Sequence, residues 1–84
     1  MATKGRVVAR SDLRTAGIGD FLTFAYEGPT PAELWFRVDA PGVSKTVRAG
    51  VQRLGQFQVA QLGVHRVAFT DGERDLAGAR FTLK

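Results

Sequence analysis

No stretch of this chain holds a helical repeat for more than one turn, and that absence limits its fold more than any other feature. Short runs of period-two alternation are instead cut by turns every eight to twelve residues. Arg6–Arg10 (RVVAR) reads as a first strand. Phe21–Tyr26 (FLTFAY) reads as a second, with Leu22, Phe24 and Tyr26 on one face. Glu27-Gly28-Pro29-Thr30-Pro31 ends it, because proline fixes its own φ and donates nothing to a ladder. Glu33–Asp39 (ELWFRVD) is the third, placing Leu34, Phe36 and Val38 inward and Trp35 and Arg37 outward. After the Ala40-Pro41-Gly42 turn, Val43–Ala49 (VSKTVRA) is a short charged strand of the type found at sheet edges. Gln56–Gln61 (QFQVAQ) alternates with Phe57 and Val59 inward, and His65–Phe69 (HRVAF) continues through Val67 and Phe69. Asp71-Gly72 marks a hairpin, after which Arg80–Lys84 (RFTLK) is the last strand, with Phe81 and Leu83 inward. Thr15–Gly19, the one candidate helix, carries two glycines and reads as a loop.

Seven short strands in 84 residues predict one all-β domain over 1–84, a seven-stranded antiparallel sandwich of immunoglobulin-like type, with 1–5 as a flexible basic arm. The absence of cysteine excludes a disulfide framework, a thiolate metal site and the Cys…Trp…Cys hallmark of antibody domains. The single histidine, His65, cannot build a histidine-rich metal centre. No apolar run approaches the ~20 residues that span a bilayer, and no signal-peptide pattern opens the sequence. A cytoplasmic protein with no membrane insertion is the expectation.

The net charge of +4 invites a nucleic-acid reading, but its distribution weakens it. Lys4, Arg6, Arg10 and Arg14 against Asp12 supply three of those charges, and the remaining seventy residues are nearly balanced. Arg37, Lys45, Arg48, Arg53 and Arg66 against Asp39 form a second basic group, offset by Asp71, Glu73 and Asp75. Basic residues without a groove-reading helix or an aromatic stacking platform do not make a nucleic-acid site.

Catalysis is excluded on similar grounds. His65 occupies an inward strand position, so it reads as a packed ring with one hydrogen bond and not as a general base in a cleft. No glycine pattern builds a phosphate cradle, and Asp71, Glu73 and Asp75 read as a solvated hairpin tip before they read as metal ligands. The chain is expected to be no enzyme, with no cofactor, no metal and no small-molecule substrate. Trp35 is the exception to this blandness: a large outward aromatic marks a contact site, or else covers a crevice beside the short fourth strand or sits under the N-terminal arm.

Leu62-Gly63, then Leu76 followed by Ala77-Gly78-Ala79-Arg80-Phe81-Thr82-Leu83, resembles the closing strands of a filamin-type immunoglobulin repeat. In that family the pattern runs Pro-Gly-x-Tyr-x-Ile-x-Val-x-Phe/Tyr, a short hairpin, then Ile/Val-Pro-Gly-Ser-Pro-Phe. Gly63, Val67, Phe69, Leu76, Gly78 and Phe81 fall at matching positions. Val38-Asp39-Ala40-Pro41 with Ser44-Lys45 is similar to the family's Val-Glu-Gly-Pro-Ser-Lys turn, and Ser11-Asp12-Leu13 with Gly19 and Phe24 more loosely to its opening. Ala77 and Arg80 stand where the family has prolines, His65 stands for its tyrosine, and the loop before the fifth strand has shrunk to Val51–Gly55. The chain is thereby identified as a remote or engineered member of that type.

The resemblance implies a non-enzymatic, scaffold-type interaction module that binds an extended peptide by β-augmentation in the groove between the third and fourth strands. The implied peptide-binding residues are Leu34, Trp35, Phe36, Arg37, Val38 and Asp39 on one wall and Ser44, Lys45, Thr46, Val47 and Arg48 on the other. Their basic side chains suit a neutral or acidic peptide. The first alternative is a structural repeat or self-assembling block that packs against neighbouring copies of itself. The second is nucleic-acid binding through the basic arm and the Arg37/Arg48 face.

Overall fold

The computed structural model describes residues 5–29 and 31–84, the side chain of Val51 excepted. Its strands are β1 (Arg6–Ala9), β2 (Phe21–Glu27), β3 (Trp35–Ala40), β4 (Val43–Arg48), β5 (Leu54–Gln58), β6 (Gly63–Thr70) and β7 (Asp75–Leu83). They form two antiparallel sheets, one in the order β1-β2-β5 and the other in the order β4-β3-β6-β7. Of the basic arm, residues 1–4 lie outside the described residues, as does Thr30 in the turn after β2. Gly5 lies so close to the Tyr26 ring that a Cβ there would collide with it. Among the described residues no helix is long and apolar enough to cross a membrane.

The alternation read from the sequence becomes the core. Leu22, Phe24 and Tyr26 of β2 face Phe36 and Val38 of β3, Val67 and Phe69 of β6 and Leu83 of β7, and Leu34 and Val59, just outside the strands, join the same cluster. Aromatic rings run through this layer as offset and tilted pairs, the geometry their quadrupoles favour. Phe36 packs 5.1 Å from Phe69 and 6.0 Å from Phe24, and Phe24 lies 5.5 Å from Phe81. His65, 1% exposed, stacks 5.6 Å from Phe81 and 6.1 Å from Phe57, while its Nδ1 lies 2.9 Å from the Gly63 carbonyl oxygen.

Most strand ends shift by one to three residues from the sequence reading, and two earlier starts have a visible reason. β5 begins at Leu54, because Gly55 belongs to the ladder opposite Phe24 and its bare Cα admits the fully buried Phe36 ring from the facing sheet. β7 begins at Asp75 and not at Arg80, because the small residues Ala77, Gly78 and Ala79 are carried by register partners Phe69, Ala68 and Val67 of β6. The Thr15–Gly19 segment is a loop, closed by the Gly17 N–H donating to Asp20 Oδ2 at 2.8 Å and the Gly19 N–H donating to the Val59 carbonyl at 2.8 Å.

Emptying the centre should cost most of what holds a domain this small together. Phe36→Ala is expected to lose about 3–5 kcal/mol by removing buried ring contacts. Gly55→Ala should also destabilise the fold, by driving a methyl group into the same ring. Urea unfolding of both variants checks this, and an unshifted midpoint for either one would contradict the packing described.

Candidate functional site

The residues expected to line a peptide groove come together on β3 and β4, but on two faces of one sheet. β3 and β4 pair from Trp35↔Arg48 to Ala40↔Val43. Directly paired residues share a face, so Trp35, Arg37 and Asp39 stand beside Arg48, Thr46 and Ser44 on the outer surface. Phe36 and Val38 stand beside Val47 and Lys45 on the inner one. Leu34 is buried just ahead of β3. The two strands are joined by their own ladder, so no free edge for an added strand lies between them, and the other edge of β3 is taken by β6.

The open edge lies one strand further out. β4 ends its sheet and all six of its residues are exposed. β5 ends the other sheet, and residues of both edge strands line one groove. Between these two edges runs a groove of about 370 Å³, lined by the inward residues of β3 and β4, by Gln56, Phe57 and Gln58, and by Ala60, Gln61 and His65. That volume lies within the ~300–1,000 Å³ range of ligand-holding clefts. Val43 (52% exposed) and Val47 (46%) form an apolar lip, and Phe36, Val38 and Phe57 line the interior. One end is closed where Gln61 Nε2 donates to the Pro41 carbonyl at 2.7 Å. The other is closed by the crossing from β4 to β5, where the Ala49 N–H donates to the Leu34 carbonyl at 2.9 Å and the Gly50 N–H to the Leu54 carbonyl at 2.8 Å.

The outer face carries a shallower depression of about 540 Å³ between Trp35, Arg37, Thr46 and the β6–β7 turn. Several of the charges around it are paired. Arg37 donates to both oxygens of Asp75 at 2.8 Å and to Asp39 Oδ2 at 3.1 Å, and Asp39 Oδ1 accepts from Ser44 Oγ at 2.6 Å. The hydrogen bonds that Arg37 donates to the Asp75 carboxylate hold the guanidinium pKa above its ordinary value. Arg48 lies over the Trp35 ring, 5.1 Å from its centroid, and pairs with Glu33 at 3.2 Å. Trp35 is thus half-buried, packed between this cation and the turn at Gly72. Asp71 caps that turn through Oδ1, which accepts from the Arg74 N–H at 3.0 Å and the Glu73 N–H at 2.9 Å. Among the described residues no group of three acidic, histidine or cysteine side chains is placed to hold a metal ion.

Sequence reading found the strands that build the groove but not the groove. Val43, Gln56, Phe57 and Gln58 were outside the expected set, although a local signal existed. Pro41-Gly42 is a two-residue loop, with Gly42 at φ +75, which suits a type II turn and leaves no length for β4 to reach the opposite sheet. Comparison with family models, curated proteins and solved structures gave no match to this chain.

The Asp71 cap gives a pH signature. The Arg74 and Glu73 N–H groups hold its carboxylate below the usual range. Its contribution is therefore complete above the unfolded value, about 3.9, and is lost as pH falls through the lower folded one. The stability gap between the wild type and Asp71→Asn should be constant near neutrality and shrink in acid. Thermal unfolding between about pH 2 and pH 7 reads this, and a gap that does not change with pH would contradict the ionised cap.

Proposed function

We propose that this domain is a non-enzymatic interaction module of immunoglobulin-like fold that takes an extended peptide as an added strand along the outer edge of β4. The observation that carries the reading is the conjunction of two bare edges, β4 and β5, with the apolar groove between them. Strand addition draws affinity from main-chain hydrogen bonds on an unpaired edge and specificity from side chains that enter alternate pockets. β4 presents such an edge over its whole length, and the groove offers the pockets.

The strand order supports the immunoglobulin-like assignment and explains the vacancy. In a constant-type sandwich the fourth strand pairs with the fifth. Here the fourth pairs with the third, which leaves the fifth uncovered. The filamin-like closing strands favour the same class of function, with the point of addition displaced outward because β4 already occupies the edge of β3. The nucleic-acid alternative is weakened because Arg6, Arg14, Arg37 and Arg48 each have an acidic partner within the chain.

A backbone-amide NMR titration with an extended peptide of alternating polar and apolar residues tests the proposal. Shifts should cluster on residues 43–48 and 54–58. Val47→Asp should weaken binding by about tenfold or more while changing stability by only about 0.5 kcal/mol, since the site is exposed. Shifts centred on Trp35 and the 71–75 turn, or none, would overturn it.

A further inference from the structure

Among the described residues, Lys45 is the only Lys, Arg, Asp or Glu side chain lining the groove. Its directly paired neighbour is Val38, and its neighbours two residues away along β4 are Val43 and Val47, so it is a cation set in an apolar surround. The nearby arginines 37 and 48 are engaged with Asp75, Asp39 and Glu33 on the opposite face. Lys45 forms no ion pair among the described residues. An inward-pointing charge on an edge strand is a recognised guard against indiscriminate sheet extension, because an incoming apolar side chain must strip water from it.

We infer that Lys45 acts as a filter, so that the groove selects an extended segment of the pattern apolar–x–acidic–x–apolar, with the carboxylate against the Lys45 ammonium. This rests on strand addition at β4. The spacing follows from the strand period of two: a residue facing Lys45 has neighbours two positions either way that face Val43 and Val47. The pattern reads the same in both directions, so it holds for a parallel or an antiparallel guest. A carboxylate at the centre replaces the water lost by the ammonium with a charge-assisted contact, whereas a neutral residue leaves it unpaired and a lysine adds repulsion. The same argument disfavours a second copy of this chain. Its β4, VSKTVR, carries no carboxylate, and edge-to-edge pairing would leave both Lys45 groups without a partner.

The test uses peptides identical except for aspartate, asparagine, lysine or valine at the central inward position, titrated by NMR into the wild type, Lys45→Glu and Lys45→Met. The wild type should prefer aspartate over asparagine by about threefold to tenfold and over lysine by more. Lys45→Glu should invert the aspartate–lysine order. Lys45→Met should bind the valine peptide more tightly than the wild type does, a gain that damage to the fold cannot produce. If all four peptides bind alike with shifts on 43–48 and 54–58, strand addition stands and the filter falls. If none shifts those residues, both fall. If light scattering shows the chain dimerising and a β4 substitution separates the copies, the edge serves self-association and the filter is again excluded.

Discussion

Phe36 meets the backbone of Gly55 across the two sheets, and the position of nearly everything else follows from that contact. The ring is fully buried, with Phe69 5.1 Å to one side and Phe24 6.0 Å to the other. Any side chain at Gly55 would hold the sheets apart and break the continuity of the aromatic layer. β3 is held down on β5 at this point, and β4 travels with β3 through their shared ladder. The depth of the groove between β4 and β5 is therefore set in the core, by a residue that is also part of the groove wall.

The outer face contributes orientation more than stability. Asp75, Arg37, Asp39 and Ser44 form a chain of charge-assisted contacts that ties β7, β3 and β4 together across the sheet. Partly exposed ion pairs of this kind are worth little individually, about 0–1 kcal/mol. A bidentate arginine fixes direction as well as distance, however, and here the same guanidinium holds Asp39, which accepts from Ser44 on an edge strand that has no buried residue of its own.

How much of this could be read from the sequence varies by residue. Alternation placed Leu22, Phe24, Tyr26, Phe36 and Val38 in the core and Trp35 and Arg37 outside it, because a strand's period of two is a property of the backbone. The charges of VSKTVR marked an edge for the same reason. Pairing is different. Alternation states which face a residue occupies but not which strand lies alongside, and the groove that the family resemblance implied between β3 and β4 is occupied by a ladder. Glycine also has two meanings. Gly55 looked like part of a loop, yet it sits in a strand for the sake of the ring opposite.

The connection from β4 to β5 is short, and it turns through Gln52 and Arg53, both left-handed at φ +62 and +60. Side chains in that region carry a cost of about 1–2 kcal/mol each, which the chain accepts in order to change sheets within a few residues. The crossing adds no strand of its own beside β5, whose edge stays uncovered. A descendant with a longer crossing at this point could lay down one more strand against β5 and fill the vacancy from its own chain. Under the proposed strand addition, insertion length at residues 49–53 would then separate a self-sufficient domain from one that completes itself with a guest.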